Sequence, residues 1–158
     1  MTKDRQQKAF SYALRLIKRR RRSRKELEDR LKKKKYPKPI VIKVLNELDD
    51  KNYIDDLQFA KAWVHDRMHF NPKSPRLLKL ELEEKGISSK IIDSVLKEVD
   101  SDYNFKKITF DLAKRKFEST SRIKNKIKRK RRIFDYLKRR GFSYNHIYNA
   151  INKLFNEK

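Results

Sequence analysis

Apolar residues return along this chain at steps of three and four. In Ser23–Leu48 they fall at Leu27, Leu31, Tyr36, Ile40, Val41, Val44 and Leu45. Those steps place them on one face of a short helix and, after a break, one face of a second. The same pattern recurs 51 residues later without a gap: Ser74–Val99 carries Leu78, Leu82, Ile87, Ile91, Ile92, Val95 and Leu96. A third copy, Arg131–Leu154, lies 55 residues beyond the second and carries Ile133, Leu137, Phe142, Ile147, Ala150, Ile151 and Leu154. Recurrence at a fixed period is the mark of a tandem array. The break falls at Gly86 and Gly141 in copies two and three, each suited to a left-handed helix end. In copy one it falls at Lys35, followed by Tyr36 and Pro37. A lysine in that conformation costs about 1 kcal/mol, so the first turn is expected to differ.

A longer helix precedes each pair. Its apolar positions are Ala9, Phe10, Ala13, Leu14 and Ile17 in copy one and Phe59, Ala60, Trp63, Val64 and Met68 in copy two. In copy three they are Phe105, Ile108 and Leu112, followed by a longer linker, Glu118–Lys126. The pattern predicts an all-α protein: nine helices in three tandem three-helix repeats, forming a curved, elongated array. The repeats are placed at 1–54, 55–101 and 102–158. No single face is wide enough for a large core, so neighbouring repeats are expected to pack end to end.

Composition agrees with helices and narrows the chemistry. Only two glycines and four prolines occur, whereas a sheet protein of this length would need many tight turns. The absence of cysteine excludes disulfides and thiolate metal sites. No apolar run is long enough to span a bilayer, and the first ten residues lack the apolar core of a signal peptide. A cytoplasmic protein with no membrane partner is expected. The net charge of +24 exceeds what solubility requires and points to a polyanionic partner. It is unevenly placed: +11 in residues 1–50, −1 in 51–104 and +14 in 105–158.

The near-neutral middle opens with "IDDLQFAKAWVHDR" (Ile54–Arg67), which holds two adjacent acids and the chain's only tryptophan. Asp55 stands three residues before Gln58, ahead of an apolar helical pattern, which is a capping-box arrangement. Asp56 adds negative charge where the helix dipole favours it. Phe59 and Trp63 are four apart and share a face, so Trp63 is expected to be buried and Asp55 to cap its helix. His65 and His69 have the spacing of two metal ligands on a helix. The zinc-hydrolase pattern needs Glu after the first histidine, however, and here Asp66 follows with no third ligand in view. With no Gly-rich phosphate loop and no nucleophile–base pattern either, no metal, no cofactor and no enzyme activity are expected.

This stretch, followed by "SPRLLKLELEEKGISSKIIDSVL", resembles the core signature of the RecX family of RecA regulators. The signature falls on Asp55, Asp56, Phe59, Ala60, Trp63, Val64, Arg67, Lys85, Gly86 and Ile87. "RSRKELEDRL" (Arg22–Leu31) is similar to the family's first unit. The chain departs from the family at Lys35, where glycine is usual, and at Ser74-Pro75, where Gly-Pro is common. The resemblance implies a monomeric non-enzyme that binds the RecA recombinase filament on single-stranded DNA. It would lie in the filament's groove and inhibit ATP hydrolysis, strand exchange and coprotease activity.

Two basic runs fit that expectation. "KRRRRSRK" (Lys18–Lys25) contributes Arg20, Arg21, Arg22, Arg24 and Lys25 as candidate contacts. "RIKNKIKRKRR" (Arg122–Arg132), with the two arginines before Gly141, contributes Lys124, Lys126, Lys128, Arg129, Lys130, Arg131, Arg132, Arg139 and Arg140. The plainer reading is a solvated, helix-friendly surface. Two runs flanking a neutral middle favour nonspecific phosphate contact with single-stranded DNA in the filament, and with bare DNA. A duplex reader would need several exposed base-contacting side chains on one helix. Only copy three offers such a set: Asn145, Tyr148, Asn149 and Asn152. A general, sequence-nonspecific helical nucleic-acid-binding protein is the alternative.

Overall fold

The structure, a computed structural model, describes residues 2–156. Among these the chain forms nine α-helices and no strand. The first repeat comprises α1 (Thr2–Arg19), α2 (Arg24–Lys33) and α3 (Lys38–Asp50). The second comprises α4 (Asp56–Phe70), α5 (Pro75–Glu84) and α6 (Ser89–Asp102). The third comprises α7 (Phe105–Ser119), α8 (Lys126–Arg139) and α9 (Tyr144–Asn156). Among the described residues no helix is long and apolar enough to cross a membrane.

The break within each helix pair has one geometry. Lys35, Gly86 and Gly141 have φ of 62°, 75° and 79°. Each donates its N–H three residues back, to Lys32, Glu83 and Lys138. The next residue, Tyr36, Ile87 or Phe142, donates five back, to Leu31, Leu82 or Leu137. This is a Schellman end, and it leaves those three side chains directed at the core. The first turn therefore does not differ, contrary to the cost argument for Lys35. Packing of Tyr36 against the first core outweighs about 1 kcal/mol of left-handed strain. Asn52 ends α3 in the same way, at φ 57° with Tyr53 N bonded to Leu48 O.

The described chain packs as two compact units: residues up to Val64 with Glu81–Val95, and His65–Leu80 with the residues from Leu96 on. Each unit therefore combines a terminal repeat with part of the middle one. In the first unit Ala9, Ala13 and Leu16 of α1 meet Leu27 and Leu31 of α2 and Ile40, Val41, Val44, Leu45 and Leu48 of α3. Phe10, Leu14 and Ile17 pack against this core half-buried, so the helix sits rotated toward Leu16. In the second unit Leu112 and Ala113 meet Ile133, Leu137, Phe142, Ile147, Ala150, Ile151 and Leu154.

The same junction occurs once in each unit. In the first, the buried Ser23 hydroxyl before α2 donates to the Lys85 carbonyl at 2.6 Å. In the second, the buried Ser74 before α5 donates its N–H to the Arg140 carbonyl at 3.0 Å. Each serine thus joins the head of one repeat's second helix to the turn of the next repeat. Ser74 Oγ also accepts from Leu77 N at 3.3 Å, so serine at this position serves as both cap and joint.

Candidate nucleic-acid and partner interface

The middle signature is structural in its placement. Asp55 Oδ1 accepts from Gln58 N at 3.1 Å and caps α4 as its spacing predicts. Phe59, Ala60 and Val64 are buried, and Arg67 is half-buried. Asp56 does more than complement the dipole. Its Oδ1 accepts from Arg24 N at 2.9 Å, tying the start of α4 to the start of α2. Burial raises its carboxyl above the ordinary range against the pull of that hydrogen bond.

Trp63 is half-buried rather than buried. Its ring stacks on Phe59 with centroids 5.9 Å apart, its Nε1–H donates to Glu81 Oε2 at 2.8 Å, and Lys85 Nζ stands 5.0 Å from its centroid. The indole is amphipathic, so a polar partner at its edge keeps it from the deepest packing. His65 and His69 are exposed, with rings stacked 4.2 Å apart, and His69 Nδ1–H donates to the His65 carbonyl.

Glu26 anchors the first basic run. It closes a capping box with Ser23: Glu26 N donates to Ser23 Oγ and Ser23 N to Glu26 Oε2, each at 3.2 Å. Its carboxylate also accepts from Arg20 and from Lys85 Nζ, both at 3.0 Å. Burial pushes its pKa up, but the bonds from Arg20, Lys85 and Ser23 outweigh burial and hold it below the ordinary range. Arg24 is spent internally as well, on Asp49, on Asn46 Oδ1 at 2.8 Å and on the Leu45 carbonyl. Arg22 is half-buried, its Nε is buried without a hydrogen-bond partner, and burial beside Arg20 lowers its pKa. Arg20 faces solvent beyond its pair with Glu26, and Arg21 and Lys25 are exposed.

The second run opens α8. Asn125 caps the helix by accepting from Lys128 N at 3.0 Å. Lys124, Lys126, Lys128, Arg131, Arg132 and Arg139 are exposed. Arg129 turns inward: its guanidinium lies 3.7 Å over the Phe117 ring, and it donates to the Phe117 carbonyl and to Thr120 Oγ1. Lys130 lies half-buried, 5.2 Å from the Phe155 centroid. Arg140 lies 4.4 Å over Tyr136. The first turn of α8 has no acidic residue. Cations there meet the positive end of the helix dipole, costing about 0.3–1 kcal/mol each at low salt. Such a sequence works against its own helix.

Sequence reasoning grouped these cations by run and missed their division into inward and outward members. It also missed Glu26 as the anchor of the first run. The capping spacing from Ser23 to Glu26 was a usable signal; the pairing with Lys85 was not visible.

Comparison with known proteins gives the family. Profiles for the first, second and third three-helix domains of RecX match residues 9–48, 55–96 and 110–151. Regulatory protein RecX of Chlorobium phaeobacteroides (strain BS1) is 35% identical over 148 residues, covering 94% of each chain. Regulatory protein RecX of Mycobacterium sp. (strain KMS) is 34% identical over 144 residues, 89% of this chain and 78% of that one. The crystal structure of RecX from Lactobacillus salivarius superposes with a TM-score of 0.77 at 27% identity, covering 96% of this chain and 97% of that chain. With three domain profiles in order and a relative matched nearly end to end, the chain belongs to the RecX family of regulatory proteins.

Proposed function

We propose that this chain binds the RecA recombinase filament on single-stranded DNA and restrains its ATP hydrolysis, strand exchange and coprotease activity. In this reading it acts in the cytoplasm as a monomer and catalyses nothing. The outer repeats, 1–54 and 102–158, attract DNA phosphates, and the near-neutral repeat at 55–101 joins them and meets protein. Family membership supports the regulatory role. The observation that carries the DNA contact is the set of exposed cations in the first two turns of α8, Lys126, Lys128, Arg131 and Arg132, of which Lys126 and Lys128 stand against the helix dipole. In the first run Arg21 and Lys25 are the matching outward cations.

The same cations favour one other reading, a sequence-nonspecific nucleic-acid-binding protein with no protein partner. Sedimentation with preformed filaments separates the two. The filament regulator is expected to pellet with RecA filaments at a salt concentration that releases it from bare single-stranded DNA. A general DNA binder would leave both together.

A further inference from the structure

Three aromatic rings of the third repeat gather on a face that the fold does not require. Phe134 of α8 packs 5.7 Å from Tyr144 and 5.5 Å from Tyr148 of α9, centroid to centroid, at interplanar angles of 25° and 35°. Tyr144 and Tyr148 are four residues apart, on successive turns of one helix face. Each is 54% exposed. The buried face of α9 is a different one, made by Ile147, Ala150, Ile151 and Leu154.

The other repeats provide an internal control. At the offsets of 55 and 51 residues, the positions of Phe134, Tyr144 and Tyr148 hold Lys79, Ser89 and Asp93 in the second repeat and Glu28, Lys38 and Ile42 in the first. The same helix pair therefore folds with mostly polar side chains there, and the rings are not a packing requirement. Positive charge surrounds them. Lys138 Nζ stands 5.9 Å from the Tyr144 centroid. Lys130 and Arg131 line a groove of about 310 Å³ with Phe134, Tyr148, Ile151 and Asn152.

Exposed rings set among cations suit a strand whose bases are unpaired: base faces stack on the rings while phosphates meet the cations. A duplex hides those faces. The geometry points to a base-stacking site for single-stranded DNA on the third repeat, formed by Phe134, Tyr144 and Tyr148. It rests on the DNA contact proposed above and extends it from phosphates to bases.

The test is fluorescence anisotropy with labelled oligothymidylate and an abasic strand of the same length, at one salt concentration. The wild type is expected to bind oligothymidylate roughly 10-fold or more tighter than the abasic strand. Tyr144→Phe with Tyr148→Phe should keep that preference. Tyr144→Ala with Tyr148→Ala should lose it while holding the abasic strand as tightly as the wild type, its helicity checked by circular dichroism. If the alanine pair unfolds, Tyr144→Ser with Tyr148→Ile, residues the other repeats carry there, replaces it. Equal wild-type affinity for the two strands would overturn the stacking site and leave the phosphate contact standing. Binding to neither strand would overturn both. A folded ring-deleted variant that keeps the preference overturns the site, as does one that keeps both DNA affinities but loses filament binding, which would make the rings a protein contact.

Discussion

At the residue scale the turns within the three helix pairs share one left-handed conformation, and glycine relieves its strain at two of them. Lys35, Gly86 and Gly141 share a left-handed backbone, but only lysine has a Cβ there. Lys35→Gly is expected to raise stability by roughly 0.5–1 kcal/mol, less the entropy glycine adds to the unfolded chain. Gly141→Ala should lower it by about 2 kcal/mol, since its Cβ would also collide with Ser74 Oγ and lie 2.7 Å from Leu77 Cγ. Urea titration of the two variants checks both signs. Trp63→Ala should cost about 3 kcal/mol, the low end for a large aromatic because the ring is only half-buried. Trp63→Phe should keep most of the stacking on Phe59 and lose about 1 kcal/mol with the bond to Glu81. Equal stability of wild type and Trp63→Ala would make the indole an exposed contact. The cap of Asp55 was legible because it lies three residues from its partner. The half-burial of Trp63 was not, because Glu81 lies eighteen residues away and only folding brings it near.

At the element scale the helices were legible in the recurrence of apolar positions and two of the turns in Gly86 and Gly141, but the turn at Lys35 was not. Residue type at position 35 argued against a left-handed end, yet the core position of Tyr36 decided the outcome. The junctions between helices rest on polar residues that pattern alone does not pair. Glu26 is the clearest case, joining the end of α1 through Arg20, the cap of α2 through Ser23, and the α5–α6 turn through Lys85. Its folded-state pKa is depressed, so it contributes stability above the ordinary glutamate range, and that contribution fades as pH falls through the lower folded value. Glu26→Gln should be less stable than the wild type at neutral pH, with the gap closing in acid. Asp56 acts with the opposite sign: burial raises its folded pKa, so protonation on acidification favours the folded state. Asp56→Asn should therefore steepen the acid loss. Thermal midpoints measured from neutral to acid pH test both.

At the scale of the whole molecule, net charge was legible but its use was not. A run of lysines and arginines gives no hint that Arg129 packs on Phe117 while Arg131 faces solvent. Positions two apart on a helix, such as Arg129 and Arg131, differ by about 200° in direction, so one run supplies both kinds of side chain. Reversal of Lys126, Lys128, Arg131 and Arg132 to Glu is expected to weaken binding to bare single-stranded DNA and to flatten its dependence on salt. Reversal of Lys79 and Lys90, exposed in the middle repeat, should leave that binding nearly unchanged. Anisotropy over a salt series reads both. An unaltered salt slope in the first variant would mean that the run is only a solvated surface.

The most direct measurement of the regulatory role is RecA's DNA-dependent ATPase on preformed filaments, with substoichiometric amounts of this protein and free single-stranded DNA in large excess. Competition for DNA alone would be diluted away under these conditions. Suppression of hydrolysis that persists as free DNA is raised is the predicted result. Hydrolysis that recovers fully as free DNA is added would contradict a filament-directed role and leave a nonspecific DNA-binding protein.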